Sequence, residues 1–158
     1  MTRLPTLGPR GEGWVLAQGV LLLAIAAAGF SGPAWTDGLR AATTVLAGLV
    51  GLAGLVLAVG GIRDLGSNVT PLPRPKDDAQ LVETGSYGLV RHPIYGGLVL
   101  GALAWGLLTA APLAIAGAFV LLAFFDLKSR REEAWLVGRY PGYEAYRKRT
   151  RRLIPWLY

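Results

Sequence analysis

Charged residues are missing from three long stretches of the chain, and these gaps outline its architecture. Trp14 to Phe30 is an apolar run closed by Ser31-Gly32-Pro33, where proline cannot continue a helix and glycine lets the chain turn. Ala41 to Ile62 is a second run of 22 residues, enough at about 1.5 Å per residue to cross a hydrocarbon core of ~30 Å. Its small-residue pairs Ala47/Gly51 and Gly54/Ala58 lie four apart, a spacing that lets another helix approach closely and is also common in membrane helices generally. From Pro93 to Phe125 no charge appears for 33 residues. As one helix this stretch would be ~50 Å long and would protrude from the bilayer. It should therefore fold back at Pro112, because proline suits the first turn of a new helix.

The pattern predicts an all-α polytopic membrane protein forming a single membrane domain over residues 1–158, with spans at 14–32, 40–62, 93–111 and 112–127. The last two make a helical hairpin. A loop at 63–92 and a helical, amphipathic C-terminal segment at 128–158 complete the chain, the last span running on to about Val137 through good helix formers. A cleaved signal peptide is an alternative for the first run, but the polar lead-in is long and a second span follows closely.

Composition agrees, with 53% hydrophobic and only 16% charged residues. The charge is unevenly placed: Lys128 to Tyr158 holds nine Lys/Arg against three Glu, which is the whole formal excess of +6. A basic run beside a span, with no recognition motif, reads as an anchor to anionic headgroups rather than a nucleic-acid site. The N-terminus (Arg3, Arg10), the middle loop (Arg63, Arg74, Lys76, Arg91) and the tail carry fifteen Lys/Arg, against Arg40 alone on the other side. By the positive-inside rule both termini and the middle loop are expected in the cytoplasm, with the protein in a plasma or inner membrane. Cysteine is absent, which excludes disulfides and thiolate chemistry, and the single histidine, His92, argues against a metal site. No catalytic triad, P-loop or dinucleotide fingerprint occurs.

Two constellations carry candidate chemistry. Beyond a proline-rich strap (Thr70 to Pro75), the stretch Leu81 to Gly97 brings glycines, Tyr87, Tyr95 and Arg91-His92 to the start of a membrane helix opened by Pro93. Backbone N–H groups at such a helix start can bind an anion. Equally, Arg91 and His92 serve as interfacial anchors, with the tyrosines as aromatic-belt residues. The second constellation is Lys128, Glu132 and Glu133, with Lys128 and Glu132 four apart on one helix face. Paired carboxylates at an interface call for a cation, a partner or water; a solvated face with an i,i+4 pair is the plainer alternative. Tyr140, Tyr143, Tyr146 and Trp156 among basic residues suggest a helix lying on the membrane surface.

At these residues the sequence resembles the isoprenylcysteine carboxyl methyltransferases and related phospholipid methyltransferases. The resemblance rests on Gly85, Tyr87, Arg91-His92-Pro93 with Tyr95, then a hairpin, then Glu132-Glu133-Ala134-Trp135-Leu136, then Tyr143, Tyr146 and Ile154-Pro155, spanning about 79–155. It implies a methyltransferase using S-adenosyl-L-methionine, held on the cytoplasmic side by Ala79, Gln80, Leu81, Val82, Tyr87, His92, Pro93, Ile94, Tyr95 and Glu132. It also implies a lipophilic or prenylated acceptor contacted by Lys128 and Arg91. The family's substrate-facing arginine is here Lys128, which keeps the charge but loses the fork that grips a carboxylate. No residue is assigned proton transfer, since a carboxylate is already ionised at neutral pH and methyl transfer needs positioning above all. A non-catalytic scaffold or transporter-like protein of the same fold is the alternative. The acceptor's identity and the oligomeric state lie beyond the sequence.

Overall fold

The computed structural model describes residues 7–157; Arg3, counted above among the N-terminal basic residues, lies outside them. The helices are α1 (Glu12–Ala28), α2 (Asp37–Leu65), the single turn α3 (Ser86–Leu89), α4 (Pro93–Leu108), α5 (Pro112–Arg139) and α6 (Tyr143–Arg149). With their 3-10 extensions, Glu12–Ser31, Asp37–Asn68 and Pro112–Arg139 are each long and apolar enough to cross a membrane, and Pro93–Leu108 is a shorter apolar helix. The protein is an all-α polytopic membrane protein. At 16 residues, α4 measures only ~24 Å. It stops at Leu108 rather than 111 because the backbone turns left-handed at Ala110 (φ 53°) and Pro112 opens α5. From there α5 continues unbroken to Arg139.

Small residues set the helix spacing. The buried face of α2 consists of Ala47, Gly54, Leu57 and Gly61, three of them seven residues apart, and it meets the glycines of α4. A Cβ on Gly54 would stand 2.9 Å from the Gly97 carbonyl oxygen, and one on Gly97 only 2.7 Å from Ala58 Cβ. Such close backbone approach replaces the hydrophobic drive that helices lack in lipid with van der Waals contact. Gly97→Val should therefore force α2 and α4 apart. The expected result is loss of the monodisperse peak in fluorescence size-exclusion chromatography, with Gly101→Val, which meets open space, as the tolerated control.

On α5, Ala114, Ala118, Leu121 and Phe125 form one inward stripe against Ile25 of α1 and Val99 and Ala102 of α4. Outward, Leu16, Leu23, Leu49, Leu52, Leu55, Leu113 and Phe119 are exposed. Exposed leucines at this density suit a hydrocarbon solvent.

The two ends differ in chemistry. At one, Trp35 Nε1 donates to the Leu107 carbonyl at 2.6 Å, tying the α1–α2 turn to the α4–α5 turn. At the other gather the polar segments: residues near Gly11 against Pro73, the stretch 66–92, and the chain beyond Arg139. There the C-terminal chain lies beside the start of α4. Arg91 N donates to Arg151 O and His92 N to Arg152 O, each at 2.9 Å.

The C-terminal helix α6 has seven residues, and Tyr143 and Tyr146 on it are almost fully buried, while Trp156 beyond it is exposed. The tyrosine face thus packs on the protein body rather than on a lipid surface, because the body offers the phenols an enclosed wall and a carbonyl partner, Tyr87 O, for Tyr146.

Candidate active site

At the polar end the helices enclose a cavity of about 310 Å³, at the small end of the range for ligand sites. One wall is built from the loop after α2. Gly85 adopts φ 61°, ψ −132°, with the Asp64 carboxylate where a side chain would be, and that carboxylate accepts from Ser86 N at 2.6 Å. This fixes the turn α3 and places Tyr87 on the cavity. The chain between the strap and this turn is held from the C-terminal side: Tyr140 Oη donates to Ala79 O at 2.5 Å, and Arg139 donates to Asp77 O. Asn68 Nδ2 donates to Gln80 O at 3.2 Å. Ala79, Gln80, Leu81 and Val82 consequently all face the cavity.

The second wall is the start of α4. Pro93 opens the helix behind His92, whose backbone is non-helical (φ −130°, ψ 64°). Pro93 itself does not line the cavity; it is buried with its ring against Gly61. Ile94 and Tyr95 do line it. Tyr95 stacks on His92 (centroids 5.4 Å, interplanar 3°) and on Phe125 (4.5 Å, 7°), and its hydroxyl donates to Glu132 Oε2 at 2.9 Å.

The two carboxylates of α5 separate in role. Glu133, whose side chain is 3% exposed, meets Arg91 Nε at 2.8 Å, His92 Nε2 at 3.3 Å and Arg152 Nε at 3.3 Å. Arg152 also reaches Asp126 Oδ1 at 2.6 Å, seven residues before Glu133 on the same helix. Arg91 further donates to the carbonyls of Arg147 and Thr150. The result is a clasp that closes the C-terminal chain onto α4 and α5. Glu132 is the open carboxylate, its side chain 24% exposed, with Tyr95 as hydrogen-bond partner and His92 Nδ1 3.7 Å away.

Lys128 is 1% exposed. Its ammonium donates to Gln18 Oε1 at 2.6 Å and to Pro71 O at 3.3 Å, and stands 4.9 Å from the Tyr95 ring centroid. Among the described residues it has no carboxylate within ion-pair distance, so the i,i+4 pairing with Glu132 is not formed.

The structure thus brings Ala79 to Val82, Tyr87, Arg91, His92, Ile94, Tyr95, Lys128 and Glu132 onto one cavity and leaves Pro93 behind it. It adds Gln18, Leu136, Tyr140, Tyr143 and Tyr146. The tyrosines carried a signal, a three-residue spacing that puts them on one side of a helical path. So did Gln18, the one amide in an otherwise apolar span, since a polar side chain in a membrane helix needs a partner.

Burial, reinforced by Glu132, pushes the Tyr87 phenol far above its usual range, and burial with Glu133 does the same for Tyr143. Both remain protonated donors at any physiological pH. The Tyr143 hydroxyl is sealed and has no hydrogen-bond partner among the described residues.

Fold and cavity together define a polytopic helical membrane protein with an amphiphilic cavity at the polar end of its spans. A family model of phospholipid methyltransferases matches residues 42–142, and the chain belongs to that family. It is 36% identical over 91 residues to the protein-S-isoprenylcysteine O-methyltransferase of Schizosaccharomyces pombe, covering 56% of this chain and 38% of that protein. It is 35% identical over 80 residues to the cobalt-zinc-cadmium resistance protein CzcN of Cupriavidus metallidurans, covering 49% of this chain and 36% of that protein. The match thus spans little more than a third of each relative's length. The resemblance read from the motifs holds at the level of the family. Gln18, Tyr143, Tyr146 and Arg152 lie outside residues 42–142 matched by the family model.

Proposed function

We propose that the protein is an integral membrane methyltransferase that takes S-adenosyl-L-methionine as donor and methylates a lipophilic or prenylated acceptor, with carboxylate O-methylation favoured. The observation that carries this reading is the convergence of Ala79 to Val82, Tyr87, Ile94, Tyr95 and Glu132, from separate parts of the chain, onto one cavity at the end of apolar helices.

The residues fit such a donor. Glu132 is an open acceptor for an ammonium or ribose hydroxyls, held by Tyr95. Tyr87 lines the cavity, where its ring can meet an adenine or a sulfonium. The donor supplies an electrophilic methyl group on a sulfonium. This chain's part is to align the acceptor oxygen with that carbon and keep water out, so no general base is needed. Arg91 and His92 act on the site through the Glu133 clasp, as positioning residues. Lys128 faces the acceptor side. A lipid-soluble acceptor would enter from the bilayer and the donor from the cytoplasm.

Isothermal titration of the purified protein with S-adenosylhomocysteine tests the reading, since an enzyme binds its product and a scaffold gives no heat. Sidedness is tested separately. Tags on both termini should be cytoplasmic, from fifteen Lys/Arg against one, and supporting this the segments near Gly11, 66–92 and beyond Arg139 share one end of the molecule. An extracytoplasmic signal from either tag refutes that orientation.

A further inference from the structure

Gln18 lies on α1, outside residues 42–142 matched to the family, and it lines the cavity beside the strap, whose Pro71 carbonyl meets the same Lys128 ammonium. Its carboxamide oxygen accepts from Lys128 Nζ at 2.6 Å. An ammonium can only donate, so the oxygen must be the atom turned toward it, and the NH2 group is left over. Among the described residues that nitrogen has no partner, on a side chain only partly buried at a cavity wall. In a membrane span an amide with half its hydrogen-bonding capacity unused is costly unless something else meets it.

The surroundings say what that is. Lys128 brings a positive charge with no carboxylate within ion-pair distance among the described residues, and its other contacts are the Pro71 carbonyl and the Tyr95 ring. The acidic group of the cavity, Glu132, accepts from Tyr95 and stands beyond ion-pair distance of Lys128. The α1 side is therefore a donor-rich, cationic corner, and the Glu132 side an acceptor-rich one.

We propose that Gln18 is an acceptor-specificity residue: its carboxamide oxygen orients Lys128 and its NH2 group donates to an oxygen of an anionic, lipid-borne acceptor. This rests on the methyltransferase reading. It assigns to the first span, by way of one side chain, a role in choosing an oxyanion over an amine at the acceptor site.

The test is Gln18→Glu in protein reconstituted in nanodiscs, with N-acetyl-S-farnesylcysteine as the acceptor probe. A glutamate still accepts from Lys128, so the α1–α5 link survives, but the cavity-facing donor becomes a negatively charged oxygen. The KM for the probe should rise at least about tenfold, while the affinity for S-adenosylhomocysteine stays within about twofold. Gln18→Met, which removes the donor without adding charge, should raise KM in the same direction and serves if the glutamate variant does not insert. An unchanged KM in a folded variant overturns the proposal, because a merely structural link to Lys128 would be kept in Gln18→Glu. Parallel loss of product binding overturns it too, since the residue would then shape the donor pocket. Failure of the wild type to bind S-adenosylhomocysteine, seen before any acceptor is added, is instead the failure of the methyltransferase reading itself.

Discussion

Glu132→Ala is expected to lower the affinity for S-adenosylhomocysteine by about ten- to a hundredfold, from the loss of charge-assisted hydrogen bonds worth about 1.5–3 kcal/mol. The protein should still insert and elute as a single species. Glu132 is the more exposed of the paired carboxylates, and its one hydrogen bond among the described residues comes from the Tyr95 hydroxyl, which can reach water or ligand once released. Glu132→Gln should fall between the two, since the amide keeps the shape and one acceptor but not the charge. Calorimetric titration of detergent-purified protein reads the effect. Wild-type affinity in the alanine variant would remove Glu132 from the donor site and with it the main support for the functional reading.

Glu133→Ala should behave in the opposite way, as a lesion of the fold before it is one of binding. Its carboxylate is shared by Arg91, His92 and Arg152, and both it and Arg91 are almost wholly enclosed. Deleting one member of a buried charge cluster leaves the others uncompensated, and this typically costs about 3–5 kcal/mol, far more than the cluster is worth intact. The expected readout is a clear fall in thermal midpoint, with the C-terminal chain released first, because Arg91 and Arg152 are the residues that hold it on α4 and α5. Limited proteolysis should then cut near Thr150. Pairing the change with Arg91→Met should recover part of the loss, as the stranded cation is removed along with its partner. A Glu133→Ala protein of unchanged stability would mean that the clasp does not bear on the fold.

The contrast between these adjacent glutamates marks the limit of what their sequence context reveals. Position on α5 gives both the same neighbours along the chain, and the i,i+4 relation to Lys128 left a pair with that lysine and a partner from elsewhere as equal alternatives for Glu132. In the structure Lys128 turns instead to Gln18 on α1 and to the Pro71 carbonyl. The partners that bury Glu133 come from the start of α4 and from Arg152 near the end of the chain. Nothing in local spacing indicates a contact across so many residues. The basic tail, legible as a headgroup anchor, contributes Arg152 inward as a partner for Asp126 and Glu133. Tyr143 and Tyr146, expected on a membrane surface, face the cavity instead.

The sequence by itself determined the class of the protein, because the cost of burying charge and unpaired backbone in hydrocarbon leaves its mark residue by residue: long uncharged runs, prolines where helices turn, and basic residues gathered in certain loops. It also determined the family, since the Arg-His-Pro and Glu-Glu segments carry that signature in their order. Only the tertiary structure decided which polar side chains share a cavity and which close the fold. Those assignments depend on how close α2 and α4 come at Gly54 and Gly97, on the turn at Gly85, and on where the C-terminal chain crosses α4. They are consequences of packing between distant segments, and short-range periodicity does not encode them.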